Sequence, residues 1–363
     1  MCKLIINIIL LFSLLFSVEK PYVLMVSFDG LRFDYTDWVE TPNFDYIEKN
    51  GVKADGLISV FPSLTFPNHY SIATGSYAGK HNITGNHFFD KTLDKKYSLY
   101  DRKAVENPNF YKSEPIWVTA EKQGVKSASY FWVGTEAPIK RIHPSIYKKY
   151  DGSVPFKDRV DSVITWFNLE PSIRPQLVML YFSEPDYTGH KYGVNKDKIN
   201  LSVKEMDKLL GYLHSQLKEL DIYDQLNIIV TSDHGMVDVS IDRTIVIDDY
   251  ISQTNHLNIQ GSGSHTQISL TEKYKYKTLL HSEIQNIPNS QVWEKDKIPD
   301  RFHFVNSNTG DYLILANEGW FITTKADRDD KKSMPLGMHG YDPKLESMHG
   351  IFYAMGKQIK NDV

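Results

Sequence analysis

The sequence has almost no cysteine, and this absence restricts the chemistry available to it. Cys2 is the only cysteine among 363 residues, and it lies in an N-terminal segment that we expect to be removed. The rest of the chain then has no thiol, which excludes disulfide bonds, thiolate metal ligands and a cysteine nucleophile. Any bound metal ion must be held by carboxylate, imidazole and hydroxyl groups.

A strong charge of one sign is absent as well. The chain has 41 Lys and Arg residues against 45 Asp and Glu residues, a net charge of -4. This balance argues against a nucleic-acid duplex or an anionic membrane surface as the main partner. Internal repeats and low-complexity linkers are also lacking. We therefore interpret residues 21–358 as one domain that contains an inserted lobe at about 251–338.

Residues 1–17 have the layout of a secretory signal peptide. Met1–Lys3 carries a positive charge, Leu4–Phe16 is apolar, and Ser17 offers a small residue for cleavage. The apolar run is too short to span a bilayer. We expect export to the periplasm or the extracellular space. An uncleaved N-terminal anchor is the alternative.

Three apolar runs share one design, since each is followed closely by a carboxylate. Such continuous runs are typical of buried parallel strands. In open α/β sheets, ligands bind at the carboxyl ends of the strands. We therefore expect the three carboxylates to converge on one edge of a sheet. The runs are Tyr22–Phe28 before Asp29, Leu177–Phe182 before Asp186, and Leu226–Thr231 before Asp233.

Helical segments alternate with these strands, which predicts an α/β fold: a mostly parallel central sheet with helices on both faces. The inserted lobe is predicted to be a small α+β unit with short strands at Phe302–Val305 and Tyr312–Leu315. The other predicted elements are helices at Pro42–Gly51, Pro115–Lys122, Pro155–Leu169 and Ile199–Leu220, and strands at Ser127–Trp132 and Ile351–Met355.

Thr65 stands at the centre of an unusual stretch, FPSLTFPNHYSIATGSYAG, which runs from Phe61 to Gly79. Because Pro67 favours the first turn of a helix, Thr65 falls just before or at a helix N-terminus. Backbone N–H groups and the helix dipole favour anions there. The Thr65 hydroxyl is then either a helix N-cap or a nucleophile that faces a phosphate. This stretch alone favours the N-cap.

The acidic strand ends require cations, because three carboxylates on one edge repel each other. Asp186 and His190 are four residues apart, close enough to share a metal ion. Asp233 and His234 are adjacent, and Gly235 permits the backbone turn that would bring their side chains together. Oxygen and nitrogen ligands without thiolate suit Zn²⁺, with Mn²⁺ or Co²⁺ as alternatives.

Six short motifs, in this order, resemble the nucleotide pyrophosphatase/phosphodiesterase family of the alkaline phosphatase superfamily. The resemblance runs from about Tyr22 to the end of the chain and implies an alkaline-phosphatase-like fold. The motifs are Asp29-Gly30, Thr65-Phe66-Pro67-Asn68-His69, Gly85-Asn86, Glu184-Pro185-Asp186 with His190, Asp233-His234-Gly235 and His339-Gly340-Tyr341.

The resemblance implies two zinc ions per chain and zinc-dependent hydrolysis of phosphodiester or pyrophosphate bonds. It implies a phosphothreonine intermediate on Thr65, and it implies that Asn86 donates a hydrogen bond to a phosphate oxygen. His69, although within a motif, is interpreted as structural. The implied ligands are Asp29, Thr65, Asp233 and His234 for one zinc ion, and Asp186, His190 and His339 for the other.

Three aromatic residues, Phe66, Trp132 and Tyr187, are expected to border the leaving side of the substrate. In the resembling family aromatic residues stack a nucleobase here, so a small-molecule phosphodiester, favoured to be a nucleotide, is the expected substrate. The alternative for Trp132 is that it packs beneath the loop. No protein partner is implied.

Three other functions stay open at this point. The first is hydrolysis of choline phospholipid-type diesters, which would need an anionic aromatic cage. The second is phosphomonoester hydrolysis. It is disfavoured because two divalent ions balance three aspartates and a Thr65 alkoxide, and a neutral site suits a diester monoanion. The third is a catalytically silent binding protein, against which the complete ligand set argues.

Overall fold

The computed structural model describes residues 21–252, 254–271, 277–329 and 334–360. The predicted signal peptide lies outside these residues. The strands are β1 (Tyr22–Phe28), β2 (Gly51–Lys53), β3 (His87–Asp90), β4 (Lys95–Ser98), β5 (Ser127–Tyr130), β6 (Ile146–Lys148), β7 (Leu177–Phe182), β8 (Leu226–Thr231), β9 (Val237–Asp238), β10 (Thr244–Val246), β11 (Leu257–Gln260), β12 (His265–Leu270), β13 (Ser290–Glu294), β14 (Tyr312–Ala316), β15 (Phe321–Thr323), β16 (Gly337–Met338) and β17 (Phe352–Gly356).

The helices lie between the strands, as the sequence predicts. None of those within the described ranges combines the length and the apolarity that crossing a bilayer requires. The helices are α1 (Pro42–Lys49), α2 (Thr65–Thr74), α3 (Ala78–His81), α4 (Arg102–Val105), α5 (Ile116–Lys122), α6 (Phe156–Phe167), α7 (Asp186–Tyr192), α8 (Lys196–Lys218), α9 (Lys277–Ile284) and α10 (Lys325–Asp329).

The central sheet has seven strands in the order β2-β17-β8-β1-β7-β5-β6. The pairs β8-β1, β1-β7, β7-β5 and β5-β6 are parallel, whereas β17 runs antiparallel to both β8 and β2. Leu24, Val26 and Phe28 pack in the core beside α1, α6 and α8, whereas Met25 faces the other side with α2 and α5. Burial on both faces explains the continuous apolar runs, and the predicted fold class is confirmed.

A second sheet, β11-β12-β14-β13, is antiparallel and lies in the interval assigned to the lobe. The predicted strand near residue 312 is present as β14, but the prediction for Phe302–Val305 is wrong. Phe302 ends a short 3-10 helix, and His303 has a left-handed φ of 45°. Phe302 and Phe304 both pack on Phe61 while His303 lies between them, so a turn gives the alternation that resembles a strand.

Two further boundaries differ from the prediction. The strand predicted at Ser127–Trp132 stops at Tyr130 because Phe131 takes a φ of 69°, which a strand cannot accommodate. The helix predicted from Ile199 begins at Lys196, where the Asn195 side chain caps it by accepting the Lys198 N–H.

The sheet order places three loops side by side, since β8, β1 and β7 are neighbours. Ser27 is in register with Thr231, and Phe28 is in register with Phe182. Beyond the strands, the Asp29 N–H donates to the Phe182 carbonyl and the Asp186 N–H donates to the Asp29 carbonyl, both at 2.9 Å. The carboxyl ends of these strands therefore meet at one edge, as expected for parallel neighbours.

Helix α1 takes its cap from a distant helix. Thr41 occupies the N-cap position without a side-chain capping bond. Instead, Asp207 of α8 accepts the N–H groups of Asn43 and Phe44 at 2.9 and 3.0 Å and the Asn43 amide at 2.8 Å. Asp207 is buried, so these bonds fix α1 against α8.

We predict that Asp207→Ala lowers the free energy of unfolding by about 1–3 kcal/mol, because it leaves buried N–H groups without an acceptor. Urea denaturation is the measurement. Glu205→Ala is the matched control, since Glu205 lies on the same helix in an exposed pair with Lys208 and should change stability by less than about 1 kcal/mol. Equal losses in the two variants would contradict this role for Asp207.

Candidate active site

One group of three candidate ligands lies where β1 and β8 end. Asp29, Asp233 and His234 place their donor atoms within 4.8 Å of one another, and all three are buried. The Nε2 atom of His234 is 3.4 Å from Asp29 Oδ1 and 3.1 Å from Asp233 Oδ2. The sequence therefore brings together two strand ends that are far apart along the chain.

A second group of three is formed by Asp186, His190 and His339. Asp186 and His190 lie one turn apart on α7, and Asp186 Oδ1 is 3.5 Å from the Nε2 atoms of both His190 and His339. His339 follows β16, which pairs antiparallel with β9 just after His234. This short ladder carries His339 to the sheet edge from late in the sequence.

The two groups are adjacent. The imidazole rings of His234 and His339 stack with centroids 3.5 Å apart and an interplanar angle of 11°. Six candidate ligands thus form one continuous cluster with two pockets of donor atoms, which is the arrangement of a two-ion site.

Each imidazole is oriented by a backbone carbonyl. Nδ1 lies 2.9 Å from Gly337 O in His190, 2.9 Å from Gly235 O in His234 and 2.8 Å from Ser63 O in His339. Because a carbonyl only accepts, Nδ1 must carry the proton, and the neutral ring then presents a lone pair at Nε2. Carbonyl-held histidines of this kind are usual at metal sites.

The carboxylates complete the test of whether metal ions fit. Within the described chain, Asp29 Oδ1, Asp186 Oδ1 and Asp233 Oδ2 are buried and make no hydrogen bond. Each is the oxygen that faces an imidazole Nε2. A lone pair opposite a carboxylate oxygen needs a cation between them, which is either a proton or a metal ion. Three nitrogens and three oxygens suit divalent ions such as Zn²⁺.

Burial and neighbouring charges shift the pKa values of these groups strongly. Burial, together with the charges of Asp233 and Asp186, raises the pKa of Asp29 well above its usual value. Burial also opposes the charge of Asp233, but the favourable electrostatic and hydrogen-bond interactions with His234 and His69 outweigh it and hold the pKa of Asp233 well below its usual range. Burial and the neighbouring histidines lower the pKa of His339.

Thr65 is the first residue of α2, and Leu64 occupies the N-cap position. The N-cap interpretation of Thr65 is therefore wrong. Its Oγ1 atom lies 3.3 Å from His234 Nε2, which places the hydroxyl beside the first ligand group. Since a residue at this position does not use its side chain to cap the helix, the hydroxyl remains available for chemistry.

Asn86 is fixed next to Thr65 by the backbone. Its Oδ1 atom accepts the Phe66 N–H at 3.0 Å. Because the acceptor end of the amide is engaged in this way, the Nδ2 end is the one that can donate to a ligand. The bond also uses one of the N–H groups at the start of α2.

The three predicted aromatic residues differ in exposure. Tyr187 follows Asp186 and is 62% exposed, and Phe66 is half-buried with its ring edge-on to Tyr97 at 6.1 Å. Trp132 is only 1% exposed; its Nε1 donates to the His69 carbonyl, and its ring packs edge-on against His69. Its ring has no open face, so the structure corrects the expectation that Trp132 borders the substrate.

His69, which the sequence analysis treats as structural, joins the nucleophile helix to the ligand group. It is fully buried, and its Nδ1 lies 2.9 Å from the Thr65 carbonyl and 3.2 Å from Asp233 Oδ2, while its Nε2 lies 2.8 Å from Ser27 Oγ. The spacing of four residues from Thr65 on one helix is the signal that points to it.

Two glycines allow the backbones to approach at the site. A Cβ at Gly30, which has a φ of 67°, would lie 2.9 Å from both Cα and Cβ of Asp186. Gly235, expected to supply a turn, is not in the left-handed region. This position requires glycine because a Cβ there would lie 2.1 Å from the Ser347 carbonyl oxygen.

The chain matches the family model described as type I phosphodiesterase / nucleotide pyrophosphatase over residues 23–342. It is 36% identical over 347 residues to human ectonucleotide pyrophosphatase/phosphodiesterase family member 5, covering 95% of this chain and 71% of the relative. It is 38% identical over 351 residues to the bis(5'-adenosyl)-triphosphatase of Mus musculus, covering 94% of this chain and 73% of the relative.

A solved structure is also similar. It is murine ectonucleotide pyrophosphatase/phosphodiesterase 5 in the form of an inactive threonine-to-alanine variant in complex with AMP. The TM-score is 0.88 and the sequence identity is 36%, over 94% of this chain and 90% of that chain. The family match over residues 23–342 includes all six candidate ligands.

We predict that Gly30→Ala reduces the divalent metal that the protein retains after dialysis, because the new Cβ displaces Asp186. Elemental analysis is the measurement. Gly124→Ala is the control: Gly124 has a similar φ of 71° but nothing within 4 Å of its Cβ. Both variants carry the backbone strain of about 1–2 kcal/mol, so equal metal contents would show that the close approach does not position Asp186.

Proposed function

Because this chain belongs to the type I phosphodiesterase / nucleotide pyrophosphatase family and is a hydrolase of phosphodiester bonds, we propose that it cleaves nucleotides with two zinc ions and Thr65 as nucleophile. The observation that carries the proposal is the position of Thr65 Oγ1, 3.3 Å from His234 Nε2, at the edge of two paired ligand groups. A hydroxyl, three carboxylates and three imidazoles that direct Nε2 into the cluster are the parts that such chemistry needs.

The two groups would hold one ion each. Bound zinc ions supply positive charge that lowers the pKa of a coordinated hydroxyl and stabilises the attacking and leaving oxygens. Zinc is favoured because its usual ligands are imidazole nitrogen and carboxylate oxygen in the absence of thiolate. The proposed ligands are Asp29, Thr65, Asp233 and His234 for one ion, and Asp186, His190 and His339 for the other.

The residues of the chain direct the substrate. Thr65 Oγ1 gives up its proton to solvent and attacks phosphorus. The bond from phosphorus to the leaving oxygen breaks, that oxygen departs with the electron pair and takes a proton from water, and a phosphothreonine remains. Water then cleaves this ester and restores Thr65. The contact of His69 with the Thr65 carbonyl, at 2.9 Å, holds the first turn of α2 during attack. Asn86 Nδ2 donates to a non-bridging oxygen, where negative charge develops.

A nucleotide is the proposed substrate class. The name of the similar mouse triphosphatase and the AMP complex of the similar murine structure support this choice. Phe66 directly follows Thr65, Tyr187 directly follows Asp186, and both side chains keep accessible surface. Stacking on such rings contributes about 1–3 kcal/mol per base. Trp132 is proposed to act from below, by fixing His69 rather than by touching the base.

We also propose that the enzyme works outside the cytoplasm after export directed by residues 1–17. The pattern of that segment supports this, and so does the word "ectonucleotide" in the name of the human relative.

Thr65→Ala should reduce the turnover rate on a nucleoside 5'-phosphodiester by about 10³-fold or more, because the nucleophile is lost. Both three-residue ligand groups remain, so the variant should still retain two zinc ions by elemental analysis. Thr65→Ser is the matched control and should keep turnover within about tenfold, because it preserves the hydroxyl. Hydrolysis at the wild-type rate by the alanine variant would rule out this nucleophile, and absence of zinc from the wild-type chain would rule out the cofactor.

Phe66→Ala and Tyr187→Ala should each reduce kcat/KM for a nucleoside 5'-diester by about five- to 100-fold, the kinetic equivalent of losing one stacking contact. Rates on p-nitrophenyl phenylphosphonate, which has no base, should change little. Trp132→Ala should lower both rates together, because it acts through His69. A phosphocholine ester is measured alongside. The nucleotide assignment is wrong if the wild type has a higher kcat/KM on this ester than on the nucleoside 5'-diester and the aromatic variants leave the ratio of the two kcat/KM values unchanged.

A further inference from the structure

We infer that Tyr181 is a positioning residue that makes Asp29 a ligand through one oxygen only. The inference rests on the proposed function, since it concerns the ion beside Thr65. The Tyr181 hydroxyl donates to Asp29 Oδ2 at 2.5 Å. Asp29 Oδ1 is left buried without a hydrogen bond within the described residues, 3.4 Å from His234 Nε2.

In this hydrogen bond the phenol is the donor and the carboxylate is the acceptor. A phenol is neutral at pH 7, because its ordinary pKa is about 10, and an Asp29 carboxylate that holds a metal ion is ionised and can only accept. The bond is therefore charge-assisted, and such bonds are roughly twice as strong as neutral ones. An oxygen that accepts a hydrogen bond in this way is a poor second donor to a metal ion, so bidentate binding by Asp29 is disfavoured.

The contacts of Tyr181 hold its hydroxyl in a position that favours Asp29 Oδ2 as the acceptor. It lies on β7 in register with Ser27 of β1 and is 8% exposed. The fully buried Arg159 donates through Nη1 to the Tyr181 carbonyl at 3.1 Å. The phenol ring packs edge-on against His69, with centroids 5.2 Å apart. The backbone and the ring are therefore both held, and the hydroxyl is directed at Asp29 Oδ2.

In Asp233, as in Asp29, one carboxylate oxygen accepts a hydrogen bond and the other does not, but here the donor is a backbone N–H. Its Oδ1 atom accepts the Gly30 N–H at 3.1 Å, and its Oδ2 atom faces His234 Nε2 at 3.1 Å without a hydrogen bond. Both buried carboxylates of this group thus give one oxygen to the protein and keep the other for a cation. At Asp29 the donor is a side chain, so a single substitution can remove it.

Loss of the hydroxyl should weaken only the ion held by Asp29. Without it, Oδ2 becomes a buried acceptor with no partner, and the carboxylate can rotate or bind through both oxygens. Loss of such an outer hydrogen bond typically costs about 10–100-fold in metal affinity. Within the part of the chain that the structure describes, the Tyr181 hydroxyl is bonded to Asp29 and not to Asp186, His190 or His339, so affinity at that second group should stay the same.

The test is a zinc titration of the metal-free mature chain in competition with a chromophoric chelator, which resolves two dissociation constants. Tyr181→Phe should raise one constant by about 10–100-fold and leave the other unchanged. Tyr130→Phe is the control: it removes a phenol oxygen from the neighbouring strand β5, where Tyr130 is also buried and stacks on Trp166. It should leave both constants as in the wild type. Activity lost by Tyr181→Phe at limiting zinc should return at saturating zinc.

Three results would count against the inference. Wild-type constants at both sites in Tyr181→Phe would overturn it, and equal weakening of both sites would assign Tyr181 a general structural role instead. Activity that stays low at saturating zinc would also contradict a role through metal affinity. A wild-type chain that binds no zinc would overturn the proposed function itself, which this titration distinguishes because the wild type is measured first.

Discussion

Repulsion among three carboxylates is the constraint on which the rest of this structure depends. Parallel neighbours β8, β1 and β7 end at the same edge, and each delivers an aspartate there. In a buried site, where screening by water is weak, like charges at this spacing are costly. The fold keeps them because every bare carboxylate oxygen faces an imidazole nitrogen, so that a cation between the two satisfies both.

The remaining contacts fix these groups before any ion arrives. Backbone carbonyls set the three imidazoles, Gly30 and Tyr181 each occupy one oxygen of a carboxylate, and His69 ties α2 to Asp233. A site that is already organised loses little conformational entropy when it binds, which is why rigid strands and short helices carry it. The same contacts hold Thr65 next to His234, so that the site for cations and the position of the hydroxyl are built by one network.

The sequence predicts the central strands of this protein better than it predicts the side-chain contacts around the site. Continuous apolar runs identified β1, β7 and β8 because strands covered on both faces must be apolar throughout. The strand predicted at Phe302–Val305 is wrong because two phenylalanines that pack on Phe61 from a turn give the same two-residue period as a strand. The roles of Trp132 and Tyr181 cannot be predicted from the residues next to them in the sequence. Trp132 is buried and donates to the His69 carbonyl, whereas the Tyr181 hydroxyl donates to Asp29 on the neighbouring strand end. Such pairings depend on strand order, which only the folded chain reveals.

The order in which the chain supplies its parts has a consequence for biosynthesis. Asp29 is made near the beginning, whereas His339 follows β16 near the end, and β17 then enters the central sheet between β8 and β2. A nascent polypeptide therefore has its acidic residues long before it has the last imidazole that faces them. The second ligand group therefore stays incomplete until residue 339 has been synthesised, long after Asp186 and His190 of the same group.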